Sequence, residues 1–124
     1  MNKIKTSERG WGCHFICADR CRFRRNTLIE YNDIKIVVST VGLMNKPEGE
    51  GFDIIGYNRY YETRAFHSDP TDERYHDIDV ERDISFDSPW SISEIDADDK
   101  ANDMHNAVVF EICDKLKKGM KFLD

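Results

Sequence analysis

The segment Ala97–Leu116 restricts the fold more than any other part of this chain. Ala97, Ala101, Met104, Val108, Ile112 and Leu116 recur at intervals of three or four residues, the period of an amphipathic helix. Asp96, Asp98 and Asp99 stand at its start and Lys115, Lys117 and Lys118 at its end, complementing the helix dipole. Gly119 supplies a stop. A second apolar strip, Val109, Phe110 and Cys113, makes the helix apolar on more than one side. Such a helix lies deep in a core or meets a partner subunit. In a chain of 124 residues, the size of one ordinary domain, this predicts a homodimer or higher homo-oligomer.

The rest of the chain reads as strands. His14–Cys17 is predicted as a short strand and Ala18–Asn26 as a charged connection. Thr27–Tyr31 and Ile34–Thr40 form a predicted hairpin turning at Asn32-Asp33. Asn45–Gly51 carries turn residues throughout. Phe52–Phe66 is predicted to contain a further antiparallel strand, and Ser68–Asp79 an acidic loop around Pro70. Val80–Phe86 alternates, with Val80, Arg82, Ile84 and Phe86 on one face, and Pro89-Trp90 ends it. The expected fold is α+β: one domain over residues 1–124, with a small antiparallel sheet and a long C-terminal helix, assembling as dimers or higher oligomers. No stretch approaches the roughly 20 apolar residues of a membrane helix. No apolar signal core follows the charged N-terminus, so secretion is not expected. Cys13, Cys17, Cys21 and Cys113 are then thiols in a cytoplasmic protein.

The net charge of −6 conceals an asymmetry. Residues 1–36 balance to +4, while residues 69–103 hold thirteen Asp and Glu against Arg74, Arg82 and Lys100. Affinity for long nucleic acids sums many phosphate contacts, and an acidic chain opposes it. A small anion needs only a local cluster of arginines in a cleft. Such a cluster exists in Ala18–Asn26, where Arg20, Arg22, Arg24 and Arg25 flank Phe23. Guanidinium groups pair bidentately with phosphate, and an aromatic ring beside them stacks on a base. The competing reading is a solvated segment whose arginines pair with the acidic stretch.

Other constellations carry less. Cys13, His14, Cys17 and Cys21 lack the paired-knuckle spacing of zinc sites and read as buried small residues. His67, Asp69, Asp72, His76, Asp77 and Asp79 match no known ligand motif, and dense Asp with Pro and Ser is ordinary loop composition. No nucleophile elbow or Gly-rich phosphate loop is present. Asn102 and His105 share one helical face within reach of a ligand. Arg82, among apolar strand neighbours, needs an internal carboxylate or a ligand phosphate. The ligand-binding set expected from these patterns is Arg20, Arg22, Phe23, Arg24, Arg25, Asn26, Arg59, Arg82, Phe86, Trp90, Asn102 and His105. No metal, cofactor or catalytic residue belongs to it.

Four runs together resemble a known family: HFICADRCRFRRNTLI (His14–Ile29), IVVSTVGLM (Ile36–Met44), IGYNRYYET (Ile55–Thr63) and SPWSISEIDADDKANDMHNAVV (Ser88–Val109). They are similar to the first-described phage anti-Thoeris sponges, which sequester cyclic ADP-ribose isomers made by bacterial TIR-domain proteins. The resemblance implies an oligomer of dimers with ligand pockets near the subunit interface, and tight binding of the signal without cleavage. Arginines suit the pyrophosphate of such a ligand, Asn and His its riboses, and aromatic faces its adenine. The expected function is therefore an anti-defence protein that captures a small nucleotide signal. The alternatives are a metal-dependent phosphodiesterase built on the His67–Asp79 cluster and an acidic protein-interaction inhibitor.

Overall fold

A computed structural model describes residues 3–10, 14 and 18–119. Its strands are β1 (Lys5–Arg9), β2 (Cys21–Tyr31), β3 (Ile34–Asn45), β4 (Phe52–Asp53), β5 (Tyr61–Ser68), β6 (Ile78–Ile84) and β7 (Ser91–Ile92), followed by helix α1 (Asp98–Lys117). They form one antiparallel sheet in the order β1-β2-β3-β5-β6, with β4 paired to β3 and β7 to β5. The expected α+β architecture is the observed one.

The hairpin β2–β3 is its centre. Asn32 turns it in the left-handed region, φ 55°, which Asn tolerates better than most residues. β2 is longer than the apolar pattern predicted, because the arginine-rich stretch from Cys21 onward is strand. Pairing with β3 from Cys21↔Met44 to Tyr31↔Ile34 overrides its polar composition. β3 is buried from Ile36 to Met44, a nearly continuous apolar run, because both faces of the sheet are covered. The predicted strand His14–Cys17 lies outside the described residues except for His14.

Helix α1 covers one face. Val108, Ile112 and Leu116 pack on Ile29, Ile36, Val38, Ala65 and Ile84. Ala97, Ala101 and Met104 pack on Phe23, Leu43 and Tyr61. Val108 and Ile112 are fully buried, each contributing about 2 kcal/mol. Tyr61 crosses Gly42, where a Cβ would collide with its ring. Its hydroxyl donates to Asp98 Oδ1 (2.6 Å) and accepts from the Ala97 N–H (2.9 Å), satisfying a group at the helix start. Asp98, Asp99, Lys115 and Lys117 complement the dipole as predicted, and Gly119, φ 80°, follows the helix end.

The predicted second helical strip is divided. Val109 and Cys113 are half-buried against the core, while Phe110 stands 74% exposed. No helix among the described residues is long and apolar enough to cross a membrane. On the sheet face away from α1, the loop after β5 reaches Arg9, whose guanidinium donates to the carbonyls of Tyr75 and His76. His14 lies over the middle of that face.

Candidate functional site

The site grows from the tight turn between β4 and β5. Ile55 N–H donates to Arg59 O (2.9 Å), Gly56 bridges to Arg59, and Asn58 takes φ 55°. This folds the Arg59 guanidinium back over Gly56, where any Cβ would collide with it. Arg59 Nε donates to Glu62 Oε2 (2.7 Å) and Nη1 to Tyr57 O (3.3 Å). The guanidinium carbon sits 5.0 Å from the centre of the Trp90 ring. Arg59 is therefore fixed in orientation by Glu62, the Tyr57 carbonyl and the Trp90 ring.

Beside Trp90 lies a notch of about 200 Å³, lined by Arg64, Phe86, Asp83 and others. It exists because β5 pairs with β7 at Tyr61 and Glu62 and with β6 from Ala65, leaving Arg64 between them. The wall carrying Phe86 and Trp90 is tied to α1 through Glu111. That carboxylate accepts from the Asp87 N–H (2.7 Å), the Ser88 N–H (2.8 Å), the Ser88 hydroxyl (2.6 Å) and Lys115 Nζ (2.7 Å). Burial raises its pKa, but these donors outweigh burial and hold it at about 2. The Glu111 clamp is thus ionised at any working pH.

Arg59, Phe86 and Trp90 of the expected set come together here, joined by Arg64. The arginine-rich stretch does not converge on the notch. Arg20 donates to Asn45 O (2.7 Å). Arg22 and Arg24 are exposed, Arg22 lying 5.9 Å from the centre of the Phe52 ring. Arg25 makes two bonds to Glu8 (3.0 Å each) and one to Asn106 (2.7 Å), tying β1 and β2 to α1. Arg25 alone turns to the helix side, while Arg22 and Arg24 share the other face of β2 and Arg20 precedes the strand in the turn Ala18–Arg20, whereas the predicted loop would have gathered all four. Phe23 and Asn26 are interior. Phe23 meets Tyr61 edge-on at 5.7 Å, and Asn26 accepts from Arg9 Nε (2.9 Å).

His105 is also interior, so it does not project towards a ligand beside the half-exposed Asn102. Its Nε2 meets Thr27 Oγ1 (2.7 Å) and its Nδ1 meets Thr40 Oγ1 (2.6 Å). Thr27 donates onward to Glu8 Oε2 (2.7 Å), so the ring carries its proton on Nε2 and accepts from Thr40 at Nδ1. Burial first, then the charge of Arg25, lower its pKa to about 4 against the opposing pull of Glu8.

His14 occupies the opposite face. Its backbone N–H donates to Ser39 Oγ (3.1 Å), its Nδ1 meets the same oxygen (2.8 Å), and its Nε2 meets Glu62 Oε1 (2.9 Å). Burial raises the Glu62 pKa, yet the His14 hydrogen bond and the charges of His14 and Arg59 leave it below the ordinary value. An ionised Glu62 accepts from His14 Nε2, which therefore carries a proton, while Nδ1 shares its contact with the Ser39 hydroxyl. Ser39, His14 and Glu62 are the residue types of a hydrolytic triad, but Ser39 is fully buried in the central strand. No substrate carbonyl reaches its oxygen in this arrangement.

Arg82 does not share an inward face with Val80, which is 67% exposed. The β5–β6 register shifts between Phe66 and Ser68, and Arg82 donates to Ser68 O (3.5 Å). It lines a cleft of about 530 Å³ with Lys35, His67, His76, Asp69 and Asp72. The carboxylates of this loop serve its turns: Asp69 accepts from the Thr71 N–H and hydroxyl, and Asp72 from the Tyr75 N–H. Among the described residues, no three His, Cys, Asp or Glu converge closely enough to hold a metal. Cys21 packs with Val41, Met44 and Ile55 as a small apolar residue, while Cys13 and Cys17 lie outside the described residues.

Sequence reasoning missed Arg64, Glu62 and the role of His14. The signal for the first two was the alternating charge of Asn58–Arg64, which pairs Arg59 with Glu62 one strand turn away. Nothing in the local pattern announced His14, whose partners are 25 and 48 residues distant. Comparison with protein-family models, curated proteins and solved structures finds no match to this chain.

Proposed function

We propose that this chain is a phage-encoded binding protein that captures a cyclic ADP-ribose-type signal in the host cytoplasm without cleaving it. The observation that carries the reading is the fixed Arg59 guanidinium on the Trp90 indole, beside the notch holding Arg64 and Phe86. A guanidinium pair suits a pyrophosphate and an exposed aromatic edge suits an adenine. The resemblance of the four sequence runs to anti-Thoeris sponges supports the same ligand class. A notch of about 200 Å³ is smaller than the pockets, roughly 300–1,000 Å³, that enclose such ligands. A second copy of the chain would supply the missing wall, in keeping with the exposed Phe110 on the helix to which the notch is clamped.

The deciding experiment incubates the protein with cyclic ADP-ribose isomers, denatures it and analyses the released small molecules. Intact ligand, retained by the unmodified protein and lost from Arg59→Ala, is the expected result. Breakdown products would replace the reading with the phosphodiesterase. Retention of no ligand would favour the protein-interaction inhibitor. Light scattering should give at least a dimer mass, reduced to a monomer by Phe110→Asp.

A further inference from the structure

Glu62 is bonded to two side chains, one from far along the chain and one from the turn just before it. Its Oε1 takes His14 Nε2 at 2.9 Å and its Oε2 takes Arg59 Nε at 2.7 Å. The carboxylate is 7% exposed, and His14 and Glu62 side chains keep only 6% and 10% of their surface. Both bonds are partly shielded from water, the His14 side more than the Arg59 side, whose side chain keeps 22% of its surface. A carboxylate rotamer is set by both partners at once, so the position of each partner depends on the other.

We infer that Glu62 is a positioning residue that couples the seating of His14 on the sheet to the orientation of Arg59, making His14 a regulator of the anion site. The inference rests on the proposed ligand reading for its consequence, but its physical core is a property of the free protein. With His14 in place, Oε1 is anchored and Oε2 is held towards Arg59 Nε, which keeps the guanidinium on the Trp90 ring beside the notch. With His14 displaced, Glu62 loses one anchor and Arg59 one constraint, so the ligand must order both. Coupling is reciprocal: whatever fixes Arg59 also seats His14. The Ser39 contact provides a probe, since the His14 amide donates to Ser39 Oγ at 3.1 Å only while His14 is seated.

The test measures amide hydrogen exchange at His14 in the ligand-free protein, beside core amides such as Ile36 and Val108. Arg59→Ala is expected to speed His14 exchange by about fivefold or more, the lower end of ordinary coupling, with the core amides unchanged. Tyr61→Phe, which weakens the fold without touching Glu62, should leave the ratio of His14 to core exchange as it is. A change of less than about twofold at His14 in Arg59→Ala overturns the inference. So does an equal acceleration of His14 and core amides, because that reports global destabilisation. In a second arm, cyclic ADP-ribose isomers are titrated into the unmodified protein and into His14→Ala. About fivefold weaker binding by His14→Ala supports the coupling, and unchanged binding overturns it. If the unmodified protein binds none of them, the ligand reading fails while the exchange arm still decides the coupling.

Discussion

The two faces of the sheet each bury a histidine against hydroxyl groups of adjacent residues in β3, and they give it different partners. Under the helix, His105 touches Thr27 and Thr40, has no carboxylate in direct contact, and is held neutral with its pKa at about 4. Across the sheet, His14 touches Ser39 and faces the Glu62 carboxylate directly. The difference teaches that the partner a buried imidazole meets, hydroxyls alone or a hydroxyl and a carboxylate, decides which parts of the fold it joins. One histidine completes a hydrogen-bond chain that packs a helix on a sheet. The other passes an orientation on to Arg59.

The largest effect should come from acid on the helix side. Between pH 6.5 and about 4 the unfolded chain binds a proton at His105 that the folded protein does not. Stability therefore falls as pH drops through that window, by on the order of 3 kcal/mol. Urea unfolding midpoints at neutral and acid pH measure this, and His105→Gln should flatten the slope. The lowered pKa of Glu62 acts further down, because its stabilising contribution disappears only as pH falls below its ordinary value of 4.5. A slope unchanged in His105→Gln would break the comparison.

On the other face, Arg59→Ala should weaken ligand capture by about ten- to a hundredfold, some 1.4–2.8 kcal/mol, with little change in folding. Calorimetry separates the two quantities. Gly56→Ala should reproduce part of that loss by pushing the guanidinium off its seat, and equal affinity in that variant would remove Gly56 from the site. A smaller effect belongs to Arg25, whose bonds to Glu8 and Asn106 join β1, β2 and α1. Arg25→Ala should cost about 1 kcal/mol of stability and leave ligand binding intact. The smallest is Arg24→Ala, within about 0.5 kcal/mol by thermal unfolding, since its side chain is exposed.

These magnitudes trace what could be read beforehand. The helix was legible to its ends because its period, end charges and stopping glycine all agree, and the β2–β3 hairpin because two apolar runs flank Asn32-Asp33. The arginine-rich start of β2 was not, since composition argued for a loop while the long partner β3 argued for a strand, and pairing won. The site was half legible. Arg59, Phe86 and Trp90 are chemically suited residues that also meet in space. Arg20, Arg22, Arg24 and Arg25 are equally suited, but a short turn, one strand face and the helix side of that strand send them to different neighbours. His105 drew notice as a polar residue on a helix, yet only the tertiary structure reveals the threonines waiting for it.

Both borders of the sheet are uninviting to other strands. β1 presents the exposed Lys5 and Glu8, and β6 the exposed Glu81 and Asp83 together with a shift in its ladder beside Ser68. Charged side chains and irregular pairing are the devices by which exposed edges avoid templating aggregates. Under the proposed reading, a chain that holds one signal molecule per site without turning it over would have to accumulate to the abundance of that signal. Guarded borders would allow that crowding without sheets fusing, so the dose at which a binder of this kind acts would be set by synthesis and not by precipitation.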